Sequence, residues 1–202
     1  MPALPSVNLT ESDKRQLLAL ARSTLIDAFG SVPAANLPMT APGKLPNETL
    51  VELKLGCFVT LTLDGKLKGC MGCIEGERTL ANSIPDLASS SAFYDRRFSP
   101  LQKSQLGRVT IEISLLSPLT PLNVSSQLQL EKYLARDHYG LVLKEDGLRA
   151  VFLPQVWAHF PSPKAFIDAL KVKGGWPENY WSDKIEVELF KVIHFSEKHL
   201  GG

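Results

Sequence analysis

The chain has only three cysteines, Cys57, Cys70 and Cys73, an odd number without framework spacing, which excludes a disulfide-stapled secreted domain and points to a reducing compartment. Its four histidines, His138, His159, His194 and His199, show no paired ligand spacing. The CxxC of Cys70 and Cys73 therefore lacks the partners of a four-ligand zinc site, and no metal site or cofactor is evident. Charge of one sign is missing too. With 22 basic and 21 acidic side chains the formal net charge is +1, so nothing marks the whole chain as a polyanion binder, and only a local basic patch is left for that role. No apolar run approaches the ~18 residues needed to cross a bilayer, and the opening MPALPSVNLT has neither a basic nor an apolar leader segment. The expectation is a soluble, cytoplasmic protein with no membrane association. There is no internal repeat, no GxSxG, no HxE and no GxxxxGK phosphate loop, so no catalytic set is legible in the linear sequence.

What is present is enough apolar material, 44% of 202 residues, for one large domain, or one with a small annex, that folds without staples. Residues 1–9 read as a tail and 10–202 as a single domain. The densest stretch is Gly56 to Ile74, GCFVTLTLDGKLKGCMGCI. Alternating β-branched and aromatic residues up to Leu63, then Asp64-Gly65-Lys66, then a second extended run make a β-hairpin. Gly69 and Gly72 flank Cys70 and Met71 in that second run, where each weakens a strand. Two geometric reasons stay open: a bulge or close approach of another backbone, and an approach to a ligand. A redox CxxC usually sits at a helix N-terminus, and this one lies at a strand end, so Cys70 reads as a buried or ligand-facing thiol.

Around the hairpin, Thr10 or Ser12 caps a helix through KRQLLALARSTLIDAF that ends at Gly30. Residues 31–46, with Pro33, Pro38, Pro42 and Pro46, form a connector. Thr79 to Phe93 reads as a helix, and Pro85 argues for a start at Ser83. Asp95-Arg96-Arg97 follows between two aromatics. Its guanidinium groups either take an anion or are spent on Asp95 and solvent. Val109 to Leu115 alternates as a half-buried strand, and Leu128 to Arg136 is a short helix. Leu141 to Leu153 is a second hairpin around Glu145-Asp146-Gly147, with His138 exposed before it. Pro163 to Gly175 is a helix, Trp157, Trp176 and Trp181 fill core or clamp loops, and Lys184 to Phe195 is one long strand. This order of hairpins, helices and strands predicts an α+β fold, a mainly antiparallel sheet with helices packed on it.

Four motifs, GCFVTL from Gly56, LKGCMG over 67–72, DRRFSPL over 95–101 and FLPQVW over 152–157, stand in the order and approximate spacing of the AMMECR domain family, also called AmmeMemoRadiSam system protein A. The chain resembles that family from about residue 10 to its end. LKGCMG matches the family signature LRGCIG with two conservative changes. Cys73 is a departure, as is Arg96, where proline is common. The resemblance implies a larger and a smaller lobe with a cleft between them, and association with a Memo-like protein and a radical SAM protein.

Three functions follow as expectations. In the first, Lys68, Gly69, Cys70, Gly72, Asp95, Arg96 and Arg97 bind a small anion, a nucleotide or a nucleic acid, and the protein is an accessory component. In the second, Cys70 is an enzyme nucleophile, with Lys68 on the same strand face supplying positive charge. Glu75 and Glu77 are then available as acid or base in an exposed turn. In the third, the chain is a protein-interaction scaffold and LKGCMG serves the fold alone.

Overall fold

The structure, a computed structural model, describes residues 8–30, 50 and 52–200. The proline-rich connector 31–46 and most of the 1–9 tail lie outside the described residues. The chain divides into two compact units, one spanning Val7–Leu116 with Ile193–Gly202, the other Ser117–Val192 with the first six residues. The expected α+β class holds, with two four-stranded sheets, one in each unit, where a single sheet was expected.

The first unit opens on α1, Glu11–Ala28. Thr10 accepts from the Asp13 N–H at 3.2 Å, and the Asp13 carboxylate accepts from the Thr10 N–H at 2.9 Å, a reciprocal cap that satisfies two otherwise orphan donors. Gly30, at φ 67°, supplies the left-handed turn that ends the helix. Strands β1, Gly56–Leu63, and β2, Lys66–Cys73, form the predicted hairpin. Its turn residues Asp64 and Gly65 have φ of 51° and 80°, as a two-residue turn matched to strand twist requires. Helix α2, Leu80–Phe93, and strand β3, Val109–Leu116, follow, and β8, Val192–Ser196, completes a sheet ordered β2-β1-β3-β8. A short helix α5, Glu197–Leu200, ends the description. Helices α1 and α2 lie on one face of this sheet, where Leu17, Leu25, Val59, Leu61, Ile84, Ile111 and Ile113 form the core.

One helix start and one strand also differ from what the sequence predicts. Helix α2 starts at Leu80, and Pro85 sits inside it. The early start is held because the Leu80 N–H reaches out of the helix to the Leu53 carbonyl at 2.9 Å, and the Thr79 carbonyl accepts from Asn82 and Ser83. The long strand 184–195 is two strands, β7, Glu186–Phe190, and β8, which belong to different sheets. The break is at Lys191, whose N–H and carbonyl are taken by the Ser117 hydroxyl at 3.0 Å and the Ser117 N–H at 2.9 Å.

The second unit holds β4, Thr120–Pro121; α3, Gln127–Leu134; β5, Gly140–Glu145; β6, Leu148–Phe152; α4, Pro163–Gly174; and β7, with sheet order β4-β7-β5-β6. Trp157 stacks on Phe166 with ring centroids 3.8 Å apart, and Trp176 is buried beside them in the core. Lys171 is fully buried and saturated, by Gln127 at 2.6 Å, Asp168 at 3.1 Å, the Tyr180 carbonyl at 3.3 Å and the Glu178 carbonyl. It is a structural cation that ties α4 to the segment after it.

Candidate functional site

Strand β2 is an edge strand, and its pairing with β1 shifts between Leu61 and Thr62. Leu61 pairs with Gly69 and Thr62 with Leu67, so Lys68 is the extra residue of a β-bulge. Beyond the bulge the alternation is regular. Gly69 faces α2, where an added Cβ would lie 1.9 Å from the Ser91 carbonyl oxygen. Cys70 and Gly72 face the other way, with the Phe58 ring filling the space beside Gly72. Both glycines thus answer to close approach within the fold. The odd spacing of Cys70 and Cys73 puts their side chains on opposite faces of β2. The CxxC therefore does not converge on one point.

The edge of β2 at Cys70 is closed by a side-chain pair. Asp95, just past the end of α2, accepts from the Cys70 N–H at 2.9 Å, and Arg97 donates to the Cys70 carbonyl at 3.1 Å. The two are joined to each other by Arg97 Nε and Nη2 at 2.9 and 2.6 Å, so together they stand where a neighbouring strand would present its own donor and acceptor. An edge with unpaired backbone groups invites another chain, and this clamp occupies it. Arg97 and the Cys70 N–H together hold the Asp95 carboxyl well below the usual carboxylate range, and Asp95 pushes the Arg97 guanidinium up in return. Asp95 is 4% exposed at its side chain and Arg97 59%, so the pair has a buried anchor and an open cation. Because the folded-state pKa of Asp95 is depressed, its stabilisation is complete above the unfolded carboxyl value of ~3.9 and is lost as pH falls further, through the folded value. Urea midpoints of the wild type and Asp95→Asn are therefore expected to differ by a constant amount from pH 7 to about 4 and to converge below that. A gap that stays the same down to the acid limit would remove Asp95 from this role.

On the face away from the core, the Cys70 thiol accepts from the Thr60 hydroxyl at 3.2 Å. Cys70 is thus fixed at its N–H, its carbonyl and its sulfur, yet it remains half-exposed. The other thiols differ in kind. Burial, with Cys73 adding to it, pushes the Cys57 thiol far above its ordinary value, and Cys73 is simply exposed. Lys68 does not serve the thiol as the sequence suggests, because its ammonium donates to the Ser99 carbonyl at 2.7 Å and hydroxyl at 3.1 Å. Arg96 is exposed and tied by no hydrogen bond or ion pair among the described residues. Glu75 and Glu77 are exposed.

Three residues of this arrangement have no linear signature. Thr60 lies on β1 opposite Cys70, and Glu112 lies on β3 opposite Thr60. His194 of β8 brings Nε2 to 3.5 Å from Glu112 Oε2. The alternation of β1 and β3 marks Thr60 and Glu112 as facing away from the core, but only the register puts them in one row. Elsewhere, an open depression of about 970 Å³ is lined by Pro121, Leu122, Val124, Lys184 and Val187 among others. Its lining holds no cysteine or histidine.

The family model described as AMMECR1 matches residues 18–195. The chain is 34% identical over 163 residues to Protein NEQ441 of Nanoarchaeum equitans, a match covering 76% of this chain and 88% of that protein. It is 29% identical over 191 residues to Protein Mbar_A1807 of Methanosarcina barkeri, covering 94% and 93%. Among solved structures, the crystal structure of the uncharacterized protein PH0010 from Pyrococcus horikoshii superposes with a TM-score of 0.75 at 23% identity, covering 94% of each chain. That likeness is one of fold.

Proposed function

The chain belongs to the AMMECR1 family, and from that premise we propose that it is an accessory protein that binds a small ligand at Cys70. One observation carries this: Cys70 is positioned by three separate hydrogen-bonding contacts while the residue stays partly exposed. A thiol needed only for packing is buried like Cys57, and one of no consequence is left loose like Cys73. A site held rigidly by its neighbours before the ligand arrives avoids part of the ordering cost of binding. Arg97 supports an anionic group on the ligand, since its guanidinium is held from one side by Asp95 and open on the other.

A small ligand is favoured over a nucleic acid segment, because the Lys68 ammonium is spent on Ser99, which leaves only Arg96 and the open side of Arg97 as cations here, too few to follow a phosphate backbone. Were the ligand a nucleic acid, binding would fall steeply with salt. The Memo-like and radical SAM partners implied by the resemblance belong to the same proposal, and co-purification with Cys70→Ser and Arg97→Ala variants tests them. A catalytic use of Cys70 is less favoured. The Thr60 hydroxyl donates to the sulfur, but the Lys68 ammonium, the positive neighbour a nucleophilic thiol needs, is spent on Ser99.

Site-resolved alkylation of the native protein tests the reading. Cys73 is expected to react as an open thiol, Cys57 only on unfolding, and Cys70 in the folded state, faster in the wild type than in Arg97→Ala. If Cys70 stays silent until the protein unfolds, the hexapeptide serves backbone shape and the ligand site is lost from the argument.

A further inference from the structure

The register of the first sheet makes one row of polar groups on the face turned from the core. Cys70 on β2 pairs with Thr60 on β1, and Thr60 pairs with Glu112 on β3. His194 on β8, the strand beyond β3, stands 3.5 Å from Glu112. The row also has an outer end, since Arg97 lies at the free edge of β2 with its guanidinium on the Cys70 carbonyl. Neighbouring strands are ~4.8 Å apart, so Glu112 is about 10 Å from Cys70, with only the small Thr60 side chain between them. Thr62 and Thr110, which pair with each other one rung along, keep the surrounding face polar. Glu112 and His194 are 33% and 42% exposed at their side chains, so both are reachable from solvent.

Along the row stand a guanidinium paired with Asp95 at one end, a thiol and a hydroxyl in the middle, and a carboxylate with an imidazole 3.5 Å away at the far end. We propose that this row is a single ligand track and that Glu112, oriented by His194, takes the amino group of a zwitterionic ligand whose carboxylate end lies at Cys70 and Arg97. The inference rests on the ligand-binding reading of Cys70 and extends it to the class of ligand, a short chain with a carboxylate and an ammonium group about 10 Å apart. Glu112 is a specificity residue in this scheme, and His194 is a positioning residue acting through it.

The test uses three chloroacetamides of matched length on the full chain. They carry a hexyl arm ending in an ammonium, a methyl or a carboxylate group. In each, the Cys70 sulfur displaces chloride to form a thioether, and chloride and a proton are released. Modification of Cys70 is read by mass spectrometry against Cys73 of the same molecule, which faces the opposite side of β2 and serves as the internal reference. With the ammonium placed at the distance of Glu112, the cationic reagent is expected to label Cys70 about two- to fivefold faster than the neutral one, the effect of one partly exposed ion pair. The anionic reagent is expected to be the slowest. Glu112→Gln, which keeps shape and loses charge, is expected to bring the cationic-to-neutral ratio to about one, and His194→Gln to lower it in part. Equal labelling by all three reagents, or a preference that Glu112→Gln leaves intact, overturns the track while leaving the Cys70 site standing. No labelling of folded Cys70 by any of them overturns both.

Discussion

Arg22→Ala is expected to cost about 3–5 kcal/mol of folding stability, read as a fall in the urea midpoint with an unchanged slope. Arg22 lies on the apolar face of α1 among Leu18, Ala21 and Leu25, and is buried with them. Its Nε and Nη2 donate to Glu197 at 2.9 and 2.5 Å, and its remaining donors reach the Leu106 carbonyl at 3.0 Å and the Val109 carbonyl at 2.7 Å. Glu197 in turn accepts from the Ile111 N–H at 2.8 Å. One guanidinium thus joins α1, the turn before β3, β3 itself and α5. Truncation leaves the Glu197 carboxylate with the Ile111 N–H but no countercharge, and takes the guanidinium from two carbonyls in a poorly solvated place, and that unmet desolvation dominates over the Coulomb term that is lost. Arg22→Met combined with Glu197→Leu removes both charges and is expected to recover part of the loss. It cannot recover all of it, because the two carbonyls and the Ile111 N–H remain unpaired. A loss below about 1 kcal/mol for Arg22→Ala would show the network to be incidental.

Gly69→Ala is expected to cost about 3 kcal/mol, although strand propensity alone predicts a gain of roughly 0.5–1 kcal/mol from replacing a glycine in a strand. The opposing effect is steric. A Cβ at residue 69 would sit 1.9 Å from the Ser91 carbonyl oxygen, a backbone atom of α2 that cannot rotate away. Ser91 is also fastened to the sheet, its hydroxyl donating to the Val59 carbonyl at 2.7 Å and accepting from the Met71 N–H at 3.0 Å. The helix must therefore move as a body or β2 must bend, and either shifts Cys70 against Asp95. The same variant is accordingly expected to change the alkylation rate of Cys70. Gly65→Ala is the control. Nothing lies within 4 Å of its added Cβ, and its cost, about 1 kcal/mol, comes from the positive φ of 80° with no effect on Cys70. If Gly69→Ala proves neutral, β2 and α2 are not in the contact described, and the explanation of the LKGCMG glycine falls.

These two residues also show where reading the chain succeeds and fails. Both hairpins were legible because an Asp-Gly pair between alternating runs has few other conformations open to it, and both turns carry the positive φ values this demands. The capped start of α1 at Thr10 and the helix from Pro163 to its left-handed glycine were legible for the same local reason. Pro85 misled, since local chemistry forbids it inside a helix while Leu53, far away in sequence, anchors the turn before it. Lys191 misled in the opposite way, as its strand pattern continues unbroken and only Ser117 divides it between sheets. Arg22 carries no local sign of its role, because its partners are more than eighty residues distant.

The sequence by itself determined the α+β class, the hairpins and most helix ends, and it brought Cys70, Asp95 and Arg97 forward through motifs that mark the family, because turns, caps and periodicity depend on residues a few positions apart. Tertiary structure alone decided that Asp95 and Arg97 close the edge of β2, that Lys68 turns to Ser99, and that Thr60, Glu112 and His194 fall into line with the thiol. Those relations follow from strand register and a single bulged residue, and register is set by how the whole sheet packs against α1 and α2, which no local stretch of the chain encodes.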